Sequence, residues 1–143
     1  MPTVHHAIDV AATPDECWRV FSDLSTWTRW FPMLQGVHGE LRSGGKLTLR
    51  FAAGPGSLPV EVAIEEFAPG ERVRWVGGRL GVRADHAYSF EVHQPETTRF
   101  TSRECFSGFG ARLITGPIFA RFDDAAHQSM AHFKALVEAA KRP

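Results

Sequence analysis

His86, Tyr88 and Glu104 have the side-chain types and the spacing for proton chemistry. Read as an extended segment, Arg83 to Val92 puts Ala84, His86, Tyr88, Phe90 and Val92 on one face. Thr98 to Phe106 gathers Phe100, Ser102, Glu104 and Phe106 in the same way. Gln94-Pro95-Glu96 between them is a turn signal, so the two segments read as neighbouring antiparallel strands whose polar residues share one inward face. Tyr88 is the chain's one tyrosine beside 11 phenylalanines and 4 tryptophans. An inward phenol in such company needs a hydrogen-bond partner, which Glu104 or His86 can supply, and a buried carboxylate needs one as well. A desolvated carboxylate holds its proton nearer to neutral pH, an imidazole is acid or base there, and a phenol polarises a carbonyl. That is the set an aldol cyclisation or a dehydration requires. The same pattern also suits two quieter roles: orienting the polar end of a ligand, or a plain structural arrangement in which Glu104 pairs with an arginine or His86 reaches solvent.

Other candidate chemistry is weaker. His127 and His132 are five apart, which on a helix turns them roughly 140° from each other; His86 and His93 are seven apart on one strand and face opposite ways, as do His5 and His6. No metal site is expected. Cys17 shares an apolar stripe with Trp18 and Phe21 and reads as a small buried hydrophobe, while Cys105 alternates outward from Glu104; neither has the surroundings of a nucleophile. Arg72, Arg74, Arg79 and Arg83 are a local basic run whose first two members alternate outward, the pattern of a solvated sheet face. Trp30, Phe31, Phe51, Trp75, Phe90, Phe100, Phe106, Met130 and Phe133 are the apolar residues that would line a ligand site, and equally what a core contains. Trp27, Trp30 and Phe31, just before Pro32, either close one end of such a site or plug the core.

The elements that must position these residues are legible from periodicity. Val4, His6, Ile8 and Val10 alternate as a strand. Thr13-Pro14-Asp15-Glu16 is a helix start, with a cap, a proline at the first helical position and a capping-box glutamate. Cys17, Trp18, Phe21 and Leu24 continue it, and a second short helix spans roughly Ser25 to Trp30. From Leu34 to Phe106 the period is two, with breaks at 43–45, 54–56, 69–70, 77–81 and 94–96, which describes six consecutive antiparallel strands. Ile118, Phe122, Ala126, Met130, Phe133, Val137 and Ala140 then recur at three and four as one long amphipathic helix, and Gly116-Pro117 marks its start or a kink in it.

With 143 residues the chain reads as a single domain, 1–143, able to bury roughly two-thirds of its unfolded surface without staples. Its 16 basic and 16 acidic residues cancel, which argues against nucleic acid as a partner. Two distant cysteines form no disulfide framework, no basic leader opens the chain, and no apolar run is long enough to span a membrane. A cytoplasmic protein is the simplest expectation. The order is α+β: a strand, two short helices, six meandering strands and a long helix laid across the concave face of a twisted seven-stranded sheet. Between sheet and helix such an arrangement leaves a gap where ligand chemistry would sit.

Over nearly its whole length the chain resembles the START-like or SRPBCC superfamily, with the helix-grip fold of the birch pollen allergen and of bacterial polyketide cyclase/dehydrase-like proteins. The resemblance is carried by the opening strand and capped helix from Ile8 to Trp18, by Phe21-Ser22-Asp23-Leu24, Trp27 and Trp30-Phe31-Pro32, and by the closing helix from Phe133 to Lys141. It implies a curved antiparallel sheet wrapped around the C-terminal helix, a deep hydrophobic cavity, and one of three activities: carriage of a lipid-like or aromatic molecule, ring cyclisation or dehydration, or a chaperone co-factor role. Two departures stand out. The allergen's glycine-rich loop is here only Ser43-Gly44-Gly45-Lys46, and the iron site of ring-hydroxylase relatives has no recognisable ligands, so no cofactor is expected. Binding of a small hydrophobic molecule, with His86, Tyr88 and Glu104 at its polar end, is the leading expectation.

Overall fold

The computed structural model of the chain describes residues 2–141. The helix start at Thr13 forms as its residue types require. The Thr13 hydroxyl accepts from the Glu16 amide at 3.2 Å, and the Glu16 carboxylate accepts from the Thr13 amide at 2.9 Å. In chain order the elements are β1 (Thr3–Val10), α1 (Pro14–Phe21), α2 (Trp27–Trp30), β2 (Leu34–Gly39), β3 (Lys46–Ala53), β4 (Gly56–Ala68), β5 (Arg72–Arg79), β6 (Val82–Gln94), β7 (Thr97–Ser107) and α3 (Gly116–Ala140). Short 3-10 turns precede α2 at Leu24–Thr26 and α3 at Phe109–Leu113. The strands make one antiparallel sheet in the order β1-β7-β6-β5-β4-β3-β2, so the first strand closes onto the last. It is the expected α+β helix-grip, an open curved sheet with two short helices after β1 and the long helix laid across it. Bulges at 34/36, 64/66 and 92/94 add to its curvature.

Two sequence expectations change and one open alternative is resolved. The break expected over 77–81 shrinks to a turn at Leu80 and Gly81, because Gly77 and Gly78 belong to β5. A Cβ on Gly78 would stand 1.9 Å from the Val82 carbonyl oxygen, so these glycines permit close strand approach and do not mark a turn. Gly116-Pro117 begins the last helix, with proline in its first turn. The buried stripe of that helix also differs. Met130, Phe133 and Val137 are buried as expected, whereas Ile118, Phe122 and Ala140 are exposed. Ile118 and Phe122 precede Ala126 in steps of four, each step turning the side chain roughly 40° from the seam. Phe119, seven before Ala126, stays within roughly 20° of the seam and takes the inward place.

The core lies in two parts. The larger, beneath α1, α2 and the C-terminal half of α3, is built on rings: Phe21, Trp27, Trp30, Phe100 and Phe133 have no accessible surface, and Phe100 stacks on Phe133 at 4.2 Å. The smaller comprises Val4, Phe106, Ala111 and Ile114, with Phe119 and Ala126 against it. The C-terminal half of α3 is tied to the end of β1 as well. Glu138 accepts from the Ala11 amide at 2.8 Å, and Lys134 and Lys141 donate to the carbonyls of Asp9 and Ala11 at 3.1 and 2.8 Å.

Candidate functional site

Register brings the three sequence candidates together. In the β6–β7 pair His86 stands opposite Glu104 and Tyr88 opposite Ser102, all on the inner face. His86 Nδ1 is 3.5 Å from Glu104 Oε2, and His86 Nε2 is 2.7 Å from the Ser102 hydroxyl. The imidazole also lies flat on the Tyr88 ring, with centroids 4.3 Å apart and planes at 23°. The sequence predicts a hydrogen bond from Tyr88 to Glu104 or His86, but its hydroxyl bonds to Ser102. Ring stacking turns the imidazole's edge past the phenol, and the serine directly across the strand pair is the group within reach. Glu104 pairs with the histidine, not with an arginine. Ser102 is therefore the member of the cluster that residue type alone did not single out; its inward alternation was the available signal.

With the ring proton on Nδ1, the histidine faces Glu104 and accepts from Ser102 through Nε2, and the same serine is the hydrogen-bonding neighbour of the Tyr88 phenol. The result is one polar cluster running from a phenol with almost no accessible surface to a carboxylate whose side chain is 26% exposed. Burial pushes the Tyr88 pKa well above 10, and the Glu104 charge adds to the effect, so the phenol is a donor throughout the physiological range.

The polar group continues across the sheet. His6 of β1 lies opposite Ser102, bonds to Asp123 of α3 at 2.8 Å, and packs its ring against His127 at 5.6 Å. His6, Ser102, His86 and Glu104 thus form a belt between the two apolar clusters. His6 and Asp123 are 117 residues apart, and nothing local in the sequence joins them.

The apolar candidates divide. Trp75 sits edge-on to His86 at 5.4 Å, and Phe31 lies against both His86 and Phe51, at 6.5 and 5.8 Å. Phe31 and Phe51 are half-buried, as are Leu58 and Val60 on the inner face of β4 beside Phe51, so the side of the grip near His86 has an open apolar rim. Trp30, Phe90, Phe100, Met130 and Phe133 are buried in the larger cluster, where ring packs on ring, and Phe106 belongs to the smaller one. The deep cavity that the resemblance implies is, beneath α1 and α2, filled by aromatic side chains. Trp27 plugs that end and donates from its indole nitrogen to the Phe21 carbonyl at 2.7 Å.

The remaining candidates have structural partners. Cys17 is buried, which pushes its thiol pKa up to about 11, and Cys105 is half-buried beside the Thr3 hydroxyl at 3.5 Å. Arg74 grips Asp85 with two bonds of 2.7 and 2.8 Å on the outer face, holding that carboxyl below its usual range, and Arg72 pairs with Glu66 at 2.9 Å. Among the described residues no helix is long and apolar enough to cross a membrane.

Solved structures share this architecture. An aromatase/cyclase, Zhui, from Streptomyces sp. R1128 superposes with a TM-score of 0.80 at 16% identity, covering 98% of this chain and 95% of that one. A protein of Thermus thermophilus gives 0.79 at 15%, covering 99% and 100%. The di-domain ARO/CYC BexL gives 0.75 at 20%, covering all of this chain and 48% of that one. At these identities the likeness is one of fold. Among curated proteins none matches the sequence. The family model described as polyketide cyclase / dehydrase and lipid transport matches residues 1–138, and with the helix-grip architecture this establishes that the chain belongs to that family, as the SRPBCC resemblance implied.

Proposed function

We propose that this protein binds a small hydrophobic molecule, lipid-like or aromatic, at the open side of the grip, with its polar end held by His86, Ser102 and Glu104. The observation that carries the reading is the cluster of Tyr88, Ser102, His86 and Glu104, set between the two apolar clusters of the inner face and ending on a partly exposed carboxylate. A folding sequence gains little from four polar side chains there, since filling the same space with apolar groups costs nothing in desolvation. A ligand with one carbonyl or hydroxyl finds both donors and acceptors, while Phe31, Phe51 and Val60 cover its apolar part. The family description names lipid transport, which agrees with this reading. Native mass spectrometry of the protein from its own host tests it. A stoichiometric hydrophobic ligand released on denaturation is the expected result; a protein that stays empty after challenge with fatty acids, sterols and aromatic polyketides would overturn it.

A second reading, a cyclase or dehydrase, is favoured by one observation: His86 stands between a carboxylate and a hydroxyl, the placement of a general base whose orientation is fixed. In that reading His86 removes the proton α to a carbonyl, Glu104 stabilises the imidazolium, and Ser102 hydrogen-bonds the developing enolate oxygen. Glu104→Gln separates the two. Loss of turnover on a poly-β-ketone substrate with binding retained supports catalysis; equal loss of both supports plain binding.

A further inference from the structure

The sequence names no exposed apolar patch, yet the structure has one. The tip of the β5–β6 hairpin and the segment from 109 to 122 fold together at the end of the sheet away from α1. The Gly110 amide donates to the Gly81 carbonyl at 3.0 Å, and the Phe109 ring covers Gly81 so closely that a Cβ there would meet it at 2.3 Å. Leu80, Phe109 and Leu113 are exposed by 82%, 78% and 73%, and Ile118 and Phe122, one turn apart on α3, extend the same apolar surface. Leu80 also has a left-handed backbone, φ 55, where glycine or asparagine would sit without strain. An apolar side chain placed in water on a strained turn serves no folding purpose.

Charge at this end is one-sided. Residues 76–84 and 105–122 contain Arg79, Arg83, Arg112 and Arg121 and no aspartate or glutamate, in a chain whose net charge is zero; Asp85, Glu104, Asp123 and Asp124 border them. Arg83 is 3.9 Å from Asp85, a carboxylate already held by Arg74 at 2.7 Å, and Arg79 rests on the Pro59 carbonyl at 3.3 Å. Among the described residues Arg112 and Arg121 have no ion-pair partner.

We propose that this end is a docking edge for an anionic lipid surface: Leu80, Phe109, Leu113 and Ile118 enter the boundary between headgroups and acyl chains, and the four guanidiniums lie among the phosphates. Apolar side chains that protrude among arginines match that interface, and of the carboxylates that border them Asp85 is held by Arg74 and Asp123 by His6. A second copy would bring four arginines against four. The inference does not depend on the interior site binding a ligand.

Sedimentation of the full chain with extruded vesicles tests it. Binding is expected to phosphatidylcholine vesicles containing phosphatidylglycerol and not to phosphatidylcholine alone, and added salt should weaken it. The double variant Leu80→Asn, Leu113→Ser should reduce vesicle partitioning by about tenfold. The pair Arg112→Gln, Arg121→Gln should reduce it on the anionic vesicles. Both variants change exposed side chains, and an unaltered thermal midpoint confirms that each is folded. No binding to either vesicle, or binding unchanged in the leucine variant, would overturn the proposal. So would a dimer in solution that the leucine variant abolishes, since a second copy would then cover the patch.

Discussion

At residue 88 a phenol lies between an imidazole and Phe100, whose ring it meets at 5.5 Å and 12°. Burial raises its pKa well above 10, with the Glu104 charge acting in the same direction. In the unfolded chain a tyrosine titrates near 10. Above that pH the unfolded state binds fewer protons than the folded one, so the stabilisation present below about pH 10 is lost as the pH rises towards the folded value. Because the chain has one tyrosine, phenolate absorbance reports this group alone. Raising the pH should produce no phenolate band until the far-ultraviolet circular dichroism collapses; a band titrating near pH 10 in the folded protein would contradict the burial. The types and inward faces of His86, Tyr88 and Glu104 were legible from alternation. The pairing was not, because a turn around Gln94-Pro95-Glu96 allows more than one register. The bulge between Val92 and Gln94 selects the one that sets Ser102 opposite Tyr88 and Glu104 opposite His86.

Among the elements, α1 is the most completely specified by local residues. Thr13 and Glu16 satisfy each other's amides, and Lys141, 3.8 Å from Glu16, brings the end of α3 to the same place. Thr13→Ala should cost about 1 kcal/mol, read as a lower urea midpoint at unchanged slope. A change in slope would mean that α1 had detached from the sheet. Capping could be read in advance because all its partners lie within four residues. The β5–β6 hairpin could not, since Gly77-Gly78 carries the signal of a turn while its actual cause is the approach of Val82 from the next strand. In α3, repeats of three and four identified a long helix but not which four-step series stays on the seam. Only contact with Phe106 and Ile114 shows that Phe119 faces inward and Ile118 does not.

Over the whole molecule, α3 joins two regions of unequal strength. Its C-terminal half buries Met130, Phe133 and Val137 against rings with no accessible surface and is held to β1 through Lys134, Glu138 and Lys141. Its N-terminal half rests on the smaller cluster, with Phe122 stacked on Phe106 at 5.3 Å yet 41% exposed. Amide hydrogens of 118–124 should therefore exchange at least tenfold faster, roughly, than those of 130–138, since local opening there breaks far fewer apolar contacts. Equal protection along the helix would show that it opens only as one unit. The sequence by itself determined the α+β order, the capped helix and the strand faces, because periodicity, caps and turn residues act over a few positions, and its motifs carried the resemblance to the family. Tertiary structure alone decided that rings fill one end of the grip, that Ser102 links His86 to Tyr88, that His6 meets Asp123, and that Leu80, Phe109 and Leu113 share an exposed edge. Each of these depends on contacts between residues far apart in the chain, whose distances follow from register, curvature and helix rotation, and no local pattern carries that information.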